Sequence, residues 1–148
     1  AAVPHWRFKT TLDVGTGAGF PGLPLAIALP DQEFHLLDSN SKKVRFIRQQ
    51  IHELELTNVT AYHCRVQEHK GQIYDCVVSR AFASLKDMLV ATQKLVKNDG
   101  RWVAMKGTYI EDEVADIPDW AVELHSYPIR VPNLNADRCL IELARRND

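Results

Sequence analysis

Apolar positions along the chain fall into short runs, separated by polar stretches with helical spacing. Thr10–Val14 (TTLDV) and residues 33–37 (EFHLL) read as short buried strands. Between them, residues 20–29 have the spacing of a helix. Pro21 and Pro24 confine its regular part to the residues after them, since proline offers no backbone N–H. Ser41 is a good N-cap candidate for a long helix. In that helix Val44, Ile47, Ile51 and Leu54 share one face at spacings of three and four. Lys42, Lys43, Arg45 and Arg48 lie off the stripe and make a basic surface.

The same pattern continues. Residues 59–64 form a third strand and Tyr74–Ser79 (YDCVVS) a fourth. Residues 85–96 are helical and end at "NDG", where Gly100 can take the left-handed conformation. Residues 101–105 make a fifth strand and residues 110–117 a short helix. Two late strands, near residues 122–131 and 139–144, are joined by "PNLNAD" with no helix between them. Strands alternating with helices imply a parallel, doubly wound α/β sheet. The last two strands imply an antiparallel C-terminal hairpin. Ligands on such sheets bind beyond the carboxyl ends of the strands, where strand order reverses.

Length and composition add bounds. The 148 residues suit a single domain spanning 1–148, with an ordinary apolar fraction of 45%. No apolar run approaches the ~20 residues that span a bilayer, and no signal segment opens the chain. Cys64, Cys76 and Cys139 show no metal-ligand or disulfide spacing, so a reduced, cytoplasmic setting without metal is expected. A net charge of −1 argues against a diffuse grip on nucleic acid but leaves room for a local basic patch.

The stretch "LDVGTGAGFPGLPLAI" carries the main chemical signal. A phosphate cradle needs Lys followed by Ser or Thr after the glycines, and "FPGLPL" stands there instead. A dinucleotide fingerprint would put its third glycine at Phe20. There remain Asp13, then Gly15, Gly17 and Gly19, with Asp38 closing the second strand at the distance of a ribose-reading acid. A plain strand-to-helix turn explains the glycines alone, but not this set together. The arrangement resembles the first motif of Rossmann-like S-adenosylmethionine-dependent methyltransferases. A sulfonium ligand agrees with a carboxylate, Asp13, at the loop.

The acceptor is narrowed by the motifs the chain lacks. Methylation at a pyrimidine carbon needs a cysteine nucleophile, and none of the three cysteines lies in a loop after the fourth or fifth strand. Exocyclic amines usually go with an Asn/Asp-Pro-Pro-aromatic loop, where this chain has "SRAFASL". The clustered acids of metal-assisted O-methylation are absent there too. An acceptor with a free lone pair, such as N7 of guanine, needs alignment rather than a base. No residue is therefore assigned a catalytic proton transfer, and the six histidines are scattered.

"LDVGTGAGFPGLPLAI", "LLDSNSKKVRFIRQ", "VVSRAFASL" and "AMKG" together resemble the bacterial 16S ribosomal RNA guanine-N7 methyltransferase family, also called glucose-inhibited division protein B. The resemblance implies a Rossmann-like class I fold, S-adenosyl-L-methionine as cofactor, and 16S rRNA or the small ribosomal subunit as partner, with the protein a monomer. It implies that Gly15 and Gly17 shape the cofactor loop and that Phe20 packs over the methionyl portion. Asp38 takes the ribose, Val66 and Gln67 meet the adenine edge, and Arg80 reaches the cofactor carboxylate or the site entrance. Phe82 is a candidate for base stacking or for the core, and Lys106, Arg130 and Arg138 for phosphate contacts. Family members often carry an acid where Gln67 stands. They also have an N-terminal helical region, with Asn-Leu-Thr and Ile-Leu-Asp-Ser-like stretches, that finds no counterpart here, so an N-terminally truncated form is expected. The competing readings are a small-molecule methyltransferase on the same fold and a cofactor-binding module without catalysis.

Overall fold

The computed structural model describes residues 6–107, 111–130 and 137–147. Its elements run β1 (Thr10–Val14), α1 (Gly22–Ala28), β2 (Glu33–Asp38), α2 (Ser41–Glu53), β3 (Val59–His63), β4 (Tyr74–Ser79), α3 (Leu85–Thr92), β5 (Val96–Lys106), α4 (Glu111–Ala115), β6 (Ala121–Arg130) and β7 (Asp137–Arg145). The sheet order is β3-β2-β1-β4-β5-β7-β6. Strands β1 to β5 pair in parallel, and β7 pairs antiparallel with both β5 and β6. This is the expected α/β sheet with a C-terminal hairpin. The hairpin inserts its second strand, so β6 becomes the edge. The "PNLNAD" join lies mainly at residues 131–136, outside the described residues.

Alternation along the strands sends side chains into two cores. Leu12, Val77 and Trp102 pack with Leu85, Met88 and Leu89 of α3. Phe34, Leu36, Val78 and Val103 pack with Leu23 and Ala26 of α1 and with Val44 and Ile47 of α2. Both sheet faces are covered, which is why the central strands read as nearly unbroken apolar runs. No helix among the described residues is long and apolar enough to cross a membrane.

Several local expectations change. The α2 cap is Asn40, one residue before Ser41; its side chain accepts from the Lys42 and Lys43 backbone N–H groups. Leu54 is half exposed because it stands just past the last helical residue. Helix α3 stops at Thr92, and a 3-10 turn over Gln93–Leu95 leads directly into β5. The cause lies in the hairpin. The Arg145 guanidinium donates to the carbonyls of Gln93 and Val96, both at 2.8 Å, and stacks 4.9 Å from the Trp102 ring. Gly100 therefore lies inside β5 and does not have positive φ. Its need for glycine is one of space, since a Cβ there would stand 2.9 Å from the Asp75 carbonyl oxygen.

Candidate cofactor cleft

The chain leaves β1 sideways, because the N–H groups of Gly15 and Thr16 both donate to the Leu37 carbonyl at the end of β2, at 2.8 and 3.2 Å. That path requires left-handed backbone at Gly15 (φ 69°) and Gly17 (φ 62°). Gly15 also has no room for a side chain, since its Cβ would overlap the Cβ of Ala81 in the loop after β4. The glycines thus let two loops meet over the ends of β1 and β4.

Asp13 lies beneath this loop and is fully buried. Its Oδ2 accepts from the Thr16 hydroxyl at 2.7 Å and from the Gly22 N–H at 2.9 Å. The carboxylate is therefore a brace between strand, loop and α1, and does not face a sulfonium as the sequence suggested. Burial pushes its carboxyl up to about 7; the Thr16 and Gly22 hydrogen bonds and the nearby Arg80 charge oppose that rise. Its folded pKa exceeds the ordinary carboxylate value, so the folded state binds the extra proton between those two values. Its contribution is full below about pH 4 and declines as pH rises towards 7. Asp13→Asn is expected to flatten the stability–pH curve over that window, as read by denaturant melts at stepped pH. An unchanged slope in the variant would mean that Asp13 is not the titrating group.

Asp38 ends β2 and is buried. Its Oδ2 accepts from the Gly17 N–H and its Oδ1 from the Asn40 N–H, both at 2.9 Å. One carboxylate therefore fixes the glycine loop and the entry to α2. Each oxygen keeps a further lone pair.

A cleft of about 510 Å³ opens at this point. Its walls are the ends of β1 and β2 (Gly15, Gly17, Asp38), the turn after β3 (Cys64, Arg65, Val66, Gln67) and the loop after β4 (Ala81, Phe82), with Lys43 at the start of α2. The volume lies in the range of small-ligand sites. It sits beyond the carboxyl ends of the strands, beside the point where order reverses between β1 and β4.

Five of the seven expected cofactor residues, Gly15, Gly17, Asp38, Val66 and Gln67, line this one cleft. Phe20 and Arg80 stand together outside its wall. The Arg80 guanidinium lies 5.9 Å from the centre of the half-exposed Phe20 ring, and 3.8 Å from where a Gly17 Cβ would be. Phe82 is half-buried, touching both cleft and core. Lys106, expected to meet phosphate, is instead mostly buried against Glu113 and the Phe82 carbonyl. Arg138 is exposed on β7, about 4.0 Å from a Cβ position at Gly107. The side chain of Arg130 lies outside the described residues. Sequence reasoning missed Lys43 and Arg65 as cleft residues. Their signal was only that each sits in or just past the loop at a strand's carboxyl end. Cys64 is also in the wall, and burial and the Glu68 charge push its thiol up, away from a thiolate nucleophile.

The chain is similar to known proteins over nearly its whole length. The sequence profile described as "GidB: rRNA small subunit methyltransferase G" matches residues 2–141. The chain is 47% identical over 147 residues to "Ribosomal RNA small subunit methyltransferase G" of Alteromonas mediterranea, covering 99% of this chain and 70% of that protein. The same-named protein of Hydrogenovibrio crunogenus is 47% identical over 146 residues, covering 98% of this chain and 68% of its own length. Among solved structures, TrmN from Thermus thermophilus superposes with a TM-score of 0.75 at 15% identity, over 93% of this chain and 44% of that one. That likeness speaks for the fold alone. With the profile covering nearly the whole sequence, the chain belongs to the rRNA small subunit methyltransferase G family, whose fold is that of the Rossmann-like S-adenosylmethionine-dependent methyltransferases.

Proposed function

We propose that this protein transfers a methyl group from S-adenosylmethionine to N7 of a guanine in 16S rRNA. The observation that carries the reading is the cleft that gathers Gly15, Gly17, Asp38, Val66 and Gln67 from the carboxyl ends of three strands, in a chain whose relatives are named for the small ribosomal subunit RNA. The residues fit the cofactor on chemical grounds. Two side-chain-free positions expose backbone, a buried carboxylate retains acceptor capacity, and Gln67 can accept from an exocyclic amine.

Bound S-adenosylmethionine supplies an electrophilic methyl on a positively charged sulfur. Gly15 and Gly17 admit its methionyl part close to the backbone. Asp38 accepts from the ribose hydroxyls, and Val66 and Gln67 orient the adenine. Arg80, stacked on Phe20, attracts the carboxylate. N7 carries an in-plane lone pair and no proton, so the protein's task is to hold acceptor and methyl in line. The cleft accordingly needs no general base. Asp38 is engaged by two backbone N–H groups, and the Cys64 thiol is kept protonated by its surroundings. Lys43 at the start of α2 and Arg65 are exposed in the cleft wall and suited to RNA phosphates, with exposed Lys42 and Arg45 on the same helix as further candidates. The reading includes a monomer working in the cytoplasm.

The test is methyl transfer from labelled S-adenosylmethionine to small ribosomal subunits from cells lacking this enzyme, beside the longer relative from Alteromonas mediterranea. The label is mapped by strand cleavage specific for N7-methylguanosine. A single N7-modified guanine is the expected result. Cofactor binding with no transfer to RNA would sink the RNA substrate and turn the search to small molecules.

A further inference from the structure

Lys106 ends β5 and Glu113 lies on α4, and their side chains are only 16% and 17% exposed. The Lys106 Nζ stands 3.1 Å from Glu113 Oε1 and donates to the Phe82 carbonyl at 3.1 Å. The same Glu113 oxygen accepts the Leu85 N–H at 3.1 Å. That N–H is one of the first-turn donors of α3, which have no partner inside the helix. One carboxylate–ammonium pair thus grips the loop after β4 at both its middle and its end. The gripped segment is part of the cleft wall: Ala81 and Phe82 line it, and the Ala81 methyl fills the space that a Cβ on Gly15 would need. A small drift of this segment alters the space around the glycine loop directly.

We propose that Glu113 is a positioning residue for methyl transfer, acting through Lys106 and the Leu85 N–H to hold Ala81 and Phe82 against the cofactor loop. Lys106 is the arm of this clamp and does not serve as a phosphate contact. Its ammonium already has two oxygen partners in a mostly buried site, whereas Lys43 is exposed at the cleft and has no ion pair among the described residues. The proposal deepens the methyltransferase reading above and rests on it.

The test compares wild type, Glu113→Gln, Lys106→Met and the double variant in full-length protein. Two readouts are used: steady-state transfer to unmodified small subunits, and calorimetric binding of S-adenosylhomocysteine. Glu113→Gln keeps an oxygen for the Leu85 N–H but removes the charge that holds the ammonium. Each single variant is expected to lose roughly 10- to 100-fold in kcat, as for a misplaced reacting geometry. S-adenosylhomocysteine affinity falls in both, and the KM for RNA stays within about twofold. The double variant is no worse than the weaker single one, because both substitutions release the same tie. The proposal is overturned if Lys106→Met acts chiefly on the KM for RNA while Glu113→Gln leaves kcat and affinity intact. Additive losses in the double variant overturn it as well. Should Glu113→Gln not fold, Lys106→Arg decides: recovery of kcat relative to Lys106→Met supports the clamp, and no recovery ends it. If wild type fails to methylate RNA, the substrate reading falls, and the S-adenosylhomocysteine affinities of the four proteins still test the clamp.

Discussion

Gly15→Ala is expected to weaken cofactor binding by at least about 10-fold while leaving most of the sheet folded. Two independent effects add. A left-handed conformation costs a residue with a Cβ about 1–2 kcal/mol. The new methyl would also overlap the Ala81 Cβ, a short side chain with no rotamer to move out of the way. The collision must therefore be relieved by backbone, by shifting either the glycine loop or the loop after β4. Both loops form walls of the same cleft. A loss of at least ~10-fold in affinity corresponds to only about 1.4 kcal/mol, within reach of the strain alone. Calorimetry with S-adenosylhomocysteine measures the affinity, and thermal melting reports the fold. Wild-type affinity in Gly15→Ala would mean that the cofactor does not lie against this loop.

Asp38→Ala is the second large effect. Its carboxylate holds the Gly17 and Asn40 N–H groups at 2.9 Å each, so truncation leaves two donors without their charged acceptor. Hydrogen bonds to charged groups contribute about 1.5–3 kcal/mol each. The affinity for S-adenosylhomocysteine is expected to fall by roughly 10- to 100-fold, with a smaller loss in Asp38→Asn, which keeps one acceptor oxygen. A comparison with the 2′-deoxy analogue separates bracing from ribose contact. If Asp38 reads the ribose, wild type binds the analogue more weakly, and Asp38→Ala no longer distinguishes the two ligands. Equal affinity of wild type for both ligands would leave Asp38 with the loop alone.

The two variants also show how much of the site was legible in advance. Asp38, Gly15 and Gly17 stand at strand ends, and strand ends are readable because a buried run of apolar residues stops where the chain must turn. Val66 and Gln67 were named only through the resemblance, since nothing in their chemistry marks them, and the structure places them in the cleft wall. Asp13 was visible as an acid beside the loop, yet its direction was not. Alternation along β1 turns it under the loop towards α1, where the Gly22 N–H and Thr16 hydroxyl meet it. Lys106 was read as a candidate phosphate contact, and its ammonium is instead held by Glu113 and the Phe82 carbonyl. Its pairing with Glu113 depends on how α4 folds back onto the end of β5, and no local spacing encodes that.

The fold divides in the same way. The order and type of the elements follow from periodicity, because burial on one or both faces imposes a repeat that the chain itself displays. The ends of elements depended on distant partners. Arg145, in the last strand, takes the carbonyls of Gln93 and Val96 and so sets where α3 gives way to β5. Gly100 is required by the carbonyl of Asp75 in a neighbouring strand, not by a turn of its own. By itself the sequence determined an α/β chain with a glycine loop, an acid after the second strand and a closing hairpin. The tertiary structure alone decided that β7 inserts beside β5, that Asp13 braces rather than faces the cleft, and that Lys106 is held by Glu113. The physical reason is that hydrophobic periodicity is a local property of the chain, whereas hydrogen-bond and ion-pair partners are chosen by whichever groups packing brings within reach.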